Sequence, residues 1–307
     1  MNELILAVPM EWILIALIPA VVWTFTSICD KVLVSRFVLN GITAGILTNL
    51  FSAILILALI PFFPISTLPT TTITLLLLSG AVWGWNRIAY LKGISLDEAS
   101  RATAIGNISP VIILVGSALF FGEVLTITDF IAFALIFAGV MWISVRKEKG
   151  FFRFSPALLW MFLSASIFAI ATWLLKYNAV DDWWSALFWI NMGFTFGSLP
   201  LLSLGPHYSN AKRAFSTHGF SLLSLLLGIN LLTLIGRGAY FTALHLGPAA
   251  IVSVLASLQT ALVFILALVL SIYLPSIIKE EYSAKILLHK AGAIAITLLG
   301  IGFLYLG

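Results

Sequence analysis

The chain has 307 residues, of which 61% are hydrophobic and 9% charged, and its net charge is +4. Soluble proteins carry roughly 25% charged residues, so an aqueous globular fold is excluded and a polytopic membrane protein is expected. The single cysteine, Cys29, excludes an internal disulfide framework and a cysteine-based zinc cluster.

A membrane-crossing helix needs about 20 mostly apolar residues. Ten such runs follow one another, at 12–34, 43–63, 73–91, 98–121, 126–145, 156–178, 183–204, 220–244, 249–274 and 285–306. Glu3 and Glu11 flank the first run where a signal peptide would be basic, so no cleavable signal is expected. Pro61, Pro64 and Pro69 punctuate the connection after the second run, and Gly205-Pro206 the one after the seventh. The third run changes from leucine-rich to aromatic and polar, with Trp83, Trp85, Asn86, Arg87 and Tyr90. Ser95-x-x-Glu98 reads as a capping box opening the fourth, with Asp97 and Glu98 at the positive end of its dipole. Near the centre of that run lie Asn107, Ser109 and Pro110, and Pro110 is expected to break the helix against the carbonyl of Gly106.

The charged connection from Arg146 to Arg153 divides the runs five and five, giving halves 1–150 and 151–307. The halves resemble each other. Trp23 and Lys31 in the first run are spaced as Phe168 and Lys176 are in the sixth. An offset of 150 residues aligns Arg87 with Arg237, Ala89 with Ala239, Tyr90 with Tyr240, Leu96 with Leu246 and Ala99 with Ala249. In this alignment Gln259 stands at Ser109, beside the proline break. The ninth run opens with Gly247-Pro248, a proline placed where a missing N–H costs least. Five is odd, so consecutive similar halves lie in opposite orientations. The expected fold is all-α and integral to the membrane, with ten transmembrane helices as two inverted five-helix repeats.

Of the 16 basic residues, 14 fall in or beside the loops after runs 1, 3, 5, 7 and 9, and only Lys176 and Arg237 on the other side. The positive-inside rule places the odd loops in the cytoplasm and both termini outside, in a multi-pass cell-membrane protein.

The motifs are similar to those of the drug/metabolite transporter superfamily, and within it the ten-helix EamA-like family. Trp23…Lys31 has the spacing of that family's Trp…Lys pattern. Ala89-Tyr90-Leu91-Lys92 resembles its tyrosine–alanine–leucine–basic signature, and Tyr240-Phe241-Thr242-Ala243-Leu244-His245 is a closer second instance. Phe121-Gly122-Glu123 followed by Ala138-Gly139-Val140 looks like its Gly-Glu turn and closing helix. The chain departs in having Ser109-Pro110 and Gln259-Thr260 where the family often has Glu-Pro, and in a longer insert at 275–285. Many ten-helix relatives are described with cytoplasmic termini, whereas the charges here argue for the opposite. The resemblance implies a secondary transporter of a small metabolite such as an amino acid, nucleoside or sugar derivative. A lipid flippase or scramblase subunit is the alternative.

Two readings stand for each candidate site residue. A basic residue at mid-helix costs roughly 2.5–3.5 kcal/mol on insertion scales, so Arg87 and Arg237 are substrate or gating candidates, placed by symmetry at opposite mouths of one path. They also suit anchors or structural ion pairs. Lys31 and Lys176 form a second symmetric pair that could snorkel to the interface. Trp23, Trp83, Asn86, Tyr90 and Tyr240 suit a ligand cavity as well as they suit a lipid-interface belt. Asn107 and Gln259 beside the Pro110 break point to a binding site, or to a kinked packing helix.

The expected path is lined by runs 1, 3, 4, 6, 8 and 9. Runs 5 and 10, with Gly139, Gly292 and Gly300, form a peripheral scaffold and a candidate homodimer face. No nucleophile–base pair, H-E-x-x-H spacing or phosphate loop is present, so neither an enzyme, a metal site nor a cofactor is expected. Topology accounts for the basic face without nucleic acid; the expected partners are a small-molecule substrate and the bilayer. No carboxylate sits at the centre of a run, so facilitated diffusion or exchange stands beside proton coupling as a mechanism, and the sequence leaves coupling open.

Overall fold

The computed structural model describes residues 11–121, 126–148, 151–177, 182–247, 249–273, 275 and 283–306. The Gly122-Glu123 turn, Pro248 and most of the 275–285 insert lie outside the described residues.

Among the described residues, ten spans are built from twelve helices. In the first half these are α1 (Glu11–Val32, continued by a π-helical turn Leu33–Phe37), α2 (Gly41–Leu59), α3 (Thr70–Leu96), α4 (Ala99–Gly106), α5 (Ser109–Phe121) and α6 (Ile127–Ser144). In the second they are α7 (Leu158–Tyr177), α8 (Trp183–Leu202), α9 (His207–Leu246), α10 (Ala249–Ser257), α11 (Gln259–Tyr273) and α12 (Ala284–Leu306). Nine of the spans are long and apolar enough to cross a membrane by length and composition. The remaining one, α3, is 27 residues long and carries Asn86, Arg87 and Lys92.

Packing follows the repeat. Exchanging α1 to α6 with α7 to α12 in order leaves the set of main packed pairs unchanged. Thus α1 packs on α9 as α7 packs on α3, and α1 packs on α10 and α11 as α7 packs on α4 and α5. The pairs α2–α8 and α6–α12 map onto themselves. Small residues set the closest approaches: a side chain at Gly80 would meet the backbone of α8 at Ile190 and Gly193. Gly139 and Gly300 close the α6–α12 seam, against Ala293 and Thr297 on one side and Ala132 and Ile136 on the other. These two glycines, expected on a dimer face, are therefore occupied within one chain.

Three local expectations are corrected, and the break in the fourth span falls where it is expected. The fourth span breaks at Asn107–Ile108, as Pro110 dictates, with tight i→i−3 bonds from Asn107 and Ile108 to Ala104 and Ile105. The ninth span breaks too, at Leu258, with no proline present. The eighth begins at His207 rather than 220. Its first twelve residues form an amphipathic segment that turns into the span at Gly219, where φ is +41°. Ala211 and Ala214 are buried there, Phe215 stacks on Phe51 at 5.7 Å and His218 meets Phe37 at 4.9 Å, while Lys212 and Arg213 stay exposed. The connection between the halves is a β-hairpin, β1 (Val145–Glu148) antiparallel to β2 (Phe151–Phe154).

The third correction concerns the capping box. Ser95 lies inside α3 and donates to the carbonyl of Lys92 at 2.7 Å, so it does not cap α4. Glu98 is the N-cap residue by position only, because its carboxylate is drawn 2.6 Å from Lys290 Nζ. A reciprocal box does open α6, between Thr126 and Asp129.

Candidate functional site

The two helix breaks face each other across the middle of the bundle. Thr260, at the start of α11, donates to Asn107 Oδ1 at 3.0 Å. Around this junction lies a cavity of about 180 Å³ walled by spans 1, 3, 4, 6, 8 and 9, three from each half.

Nine of the sequence candidates line it: Trp23, Trp83, Asn86, Arg87, Tyr90, Asn107, Arg237, Tyr240 and Gln259. Trp23 is wedged over Gly236, which has no Cβ to obstruct it, and lies 5.4 Å from the Tyr240 ring. Gln259 Nε2 donates to the Trp23 carbonyl at 3.1 Å and to Ser27 Oγ at 2.7 Å, and Ser27 meets the Tyr90 hydroxyl at 2.8 Å. Asn86 Nδ2 donates to the carbonyl and hydroxyl of Ser164, each at 2.8 Å. These bonds tie the first half to the second through polar side chains on the wall.

Trp83 is the centre of an aromatic floor. Phe168, Phe194, Tyr240 and Phe241 stand edge-on to it, with centroids 5.4–6.5 Å away, the arrangement aromatic quadrupoles favour. Trp85, by contrast, is 49% exposed on the outer surface and donates to the Gly197 carbonyl at 3.0 Å.

The arginines, expected at opposite mouths, are both in the wall of this one cavity and differ in partnership. Arg87 makes a two-pronged ion pair with Asp30, Nη1 to Oδ2 at 2.7 Å and Nη2 to Oδ1 at 2.5 Å. Asp30 is fully buried, so the wall does contain a carboxylate, contrary to the sequence reading. Arg237, 5% exposed, donates from Nη1 to Asn191 Oδ1 at 2.9 Å, with its Cζ 4.1 Å from the Phe194 ring centroid.

Lys31 does not line the cavity. Its ammonium donates to the carbonyls of Ile94, at 2.9 Å, and Asp97, where it satisfies the C-terminal end of α3. The side chain of Lys176 lies outside the described residues. Pro110 is buried and is not among the residues that line the cavity. Beyond Lys31, towards the odd loops, a buried charge cluster joins five segments. Arg101 lies 3.5 Å from Asp97 and 3.8 Å from Glu98, and Glu98 also holds Lys290, which is completely buried on α12. Arg101 donates to the Ile143 carbonyl at 2.7 Å, and Ser155 donates to Asp97. No group of three or more potential metal-binding side chains occurs among the described residues.

A bundle of apolar helices enclosing a central polar and aromatic cavity defines the class, a multi-pass helical membrane protein. Residues 10–145 match the EamA-like transporter family, which bears out the resemblance carried by the motifs of the first half. An uncharacterised transporter of Sinorhizobium sp., named for the cobO 3′ region, is 31% identical over 80 residues. That alignment takes in 26% of this chain, and the chain spans only 57% of the relative's length. A solved structure described only as "Crystal structure of protein" aligns over 96% of each chain with a TM-score of 0.55 and 16% identity, a likeness of fold alone.

Proposed function

We propose that the protein is a secondary transporter that moves a small metabolite across the cell membrane. Two inverted five-helix repeats, residues 1–150 and 151–307, would alternate access to the central cavity. The supporting observation is the cavity itself, walled by three spans from each half, with both broken helices meeting beside it. Broken helices at a repeat interface supply free backbone and polar groups where a substrate must be bound at membrane depth. The transporter name of the family and of the Sinorhizobium relative points the same way.

Transport by rocking of the repeats would exploit glycine-lined seams such as Gly80 against α8, where close contact permits sliding. Efflux, exchange and facilitated diffusion are all compatible with this architecture, and Asp30 on the wall adds a route for proton coupling. The test is reconstitution into proteoliposomes loaded with a pooled metabolite library, with and without a pH gradient. Selective release or retention of one soluble class is expected. Lipid transfer with no movement of any soluble metabolite would replace the proposal with a flippase.

A further inference from the structure

Charge accounting on the cavity wall gives an unequal sum. Asp30, Arg87 and Arg237 are the charged residues among those that line it. Asp30 and Arg87 neutralise each other through both oxygens and both terminal nitrogens. Arg237 is left as a buried cation whose contacts are neutral: the Asn191 amide oxygen, the Phe194 face and the Trp83 ring at 5.9 Å. Among the described residues it meets no carboxylate.

A guanidinium has five N–H donors in a planar fork, and only Nη1 of Arg237 has an acceptor among the described residues. The residue is held from behind. Asn191 is fixed by its own donation to the Leu187 carbonyl at 2.7 Å and by accepting from Ser52, so the guanidinium is pre-oriented against α8. An unpaired charge this deep is expensive, and a bound anion would remove that cost. A second unfilled group shares the wall: Asn107, 6% exposed, has its Nδ2 without an acceptor, while its Oδ1 is taken by Thr260.

We infer that the cavity binds a small monocarboxylate with a flat apolar body, the carboxylate on Arg237 and the body against Trp83, Phe168 and Tyr240. This rests on the cavity being the substrate path proposed above and narrows its substrate class. One unpaired positive charge is matched by one negative charge, and a planar fork matches a carboxylate through two parallel hydrogen bonds. The edge-on rings around Trp83 supply the apolar surface. A zwitterion fits less well, because both oxygens of Asp30 are already engaged by Arg87 and leave no free carboxylate for an ammonium.

The test uses three probes with one body and different charge: phenylacetate, phenylacetamide and phenethylamine. Binding to the purified full-length protein is read by tryptophan fluorescence, with Trp23 and Trp83 in the wall as reporters. Phenylacetate should bind at least tenfold tighter than either analogue. Arg237→Gln should reduce it to the level of the amide, and Arg237→Lys should retain part of the preference. Equal or tighter binding of the amide or amine, no binding of phenylacetate, or unchanged binding of it to Arg237→Gln would each overturn the inference. Should Arg237→Gln not fold, the three-probe comparison on the unmodified protein decides alone. Proteoliposome uptake separates the two levels. Phenylacetate binding with no movement of it or of any pooled metabolite removes the transport reading and leaves the anion site, whereas uptake of only the amide or amine keeps transport and removes the anion site.

Discussion

Arg87 and Asp30 face each other across two helices with two short, parallel hydrogen bonds of 2.7 and 2.5 Å, and their side chains are 12% and 1% exposed. The guanidinium therefore meets the cavity already satisfied.

Removing one partner from such a pair strands a buried charge, at about 3–5 kcal/mol. Asp30→Asn and Arg87→Leu are each expected to lower thermal stability markedly in detergent. The double variant Asp30→Asn/Arg87→Leu should lose less than the sum of the two single losses. Additive losses in that cycle would show that the two side chains act independently.

The buried ammonium of Lys290 gives a second case, on α12 against Glu98 at the start of α4. Lys290→Met leaves Glu98 and Arg101 to repartner, and an unfolding loss of about 3 kcal/mol or more is expected. Glu98→Gln/Lys290→Met should recover part of it. Unfolding midpoints of the purified variants check this, and a neutral Lys290→Met would contradict the burial of the pair.

Gly80 tests the helix seam. Gly80→Val would drive a side chain into the backbone of α8 at Ile190, so little folded protein should be recovered by size-exclusion chromatography. Gly302→Ala is the control, since nothing lies within 4 Å of a Cβ there, and its elution should match that of the unmodified chain.

Asp182 caps α8, accepting from the amides of Trp184 and Ser185 at 3.1 Å each and from Ser185 Oγ at 2.5 Å. The Ser185 hydroxyl is the main cause that holds its carboxyl below the usual value of 3.8, with the bond to Ser66 and the amides adding to it. A depressed folded pKa contributes stability that is complete above the unfolded value and fades as pH falls through the folded one. Asp182→Asn, which can still cap, should therefore narrow the melting-temperature gap between pH 7 and pH 3. Asp182→Ala should cost about 1 kcal/mol at pH 7.

Orientation is checked with single cysteines in a Cys29→Ser background. With odd loops in the cytoplasm, Lys212→Cys on the amphipathic segment should react with a membrane-impermeant maleimide only in inside-out vesicles. Thr67→Cys, exposed between α2 and α3, should react in intact cells. The reverse pattern would invert the topology.

Much of this architecture is legible in the sequence because the membrane enforces it: apolar runs give the spans, and the Arg87/Arg237 alignment gives the repeat. Trp83, Asn86 and Asn107 are found because polar and aromatic residues inside apolar runs need a reason to be there. Asp30 is not found. It sits close to the end of its run, where a carboxylate reads as interfacial, and only the packing of α3 on α1 shows Arg87 reaching it. The segment at 207–218 is too short and too polar for a span, and its burial depends on Phe37 and Phe51, distant in sequence. The break at Leu258 carries no proline and is visible only in the backbone.

The bond from Thr260 to Asn107 gives those two breaks a shared fate. Each interrupted span has a joint at its middle, and the joints are pinned to one another rather than to the surrounding helices alone. Straightening or bending one arm must either carry its counterpart along or give up the pin. The two broken spans are thus joined where their continuity fails, by the Thr260 hydroxyl and by the packing of α11 on α4 around it.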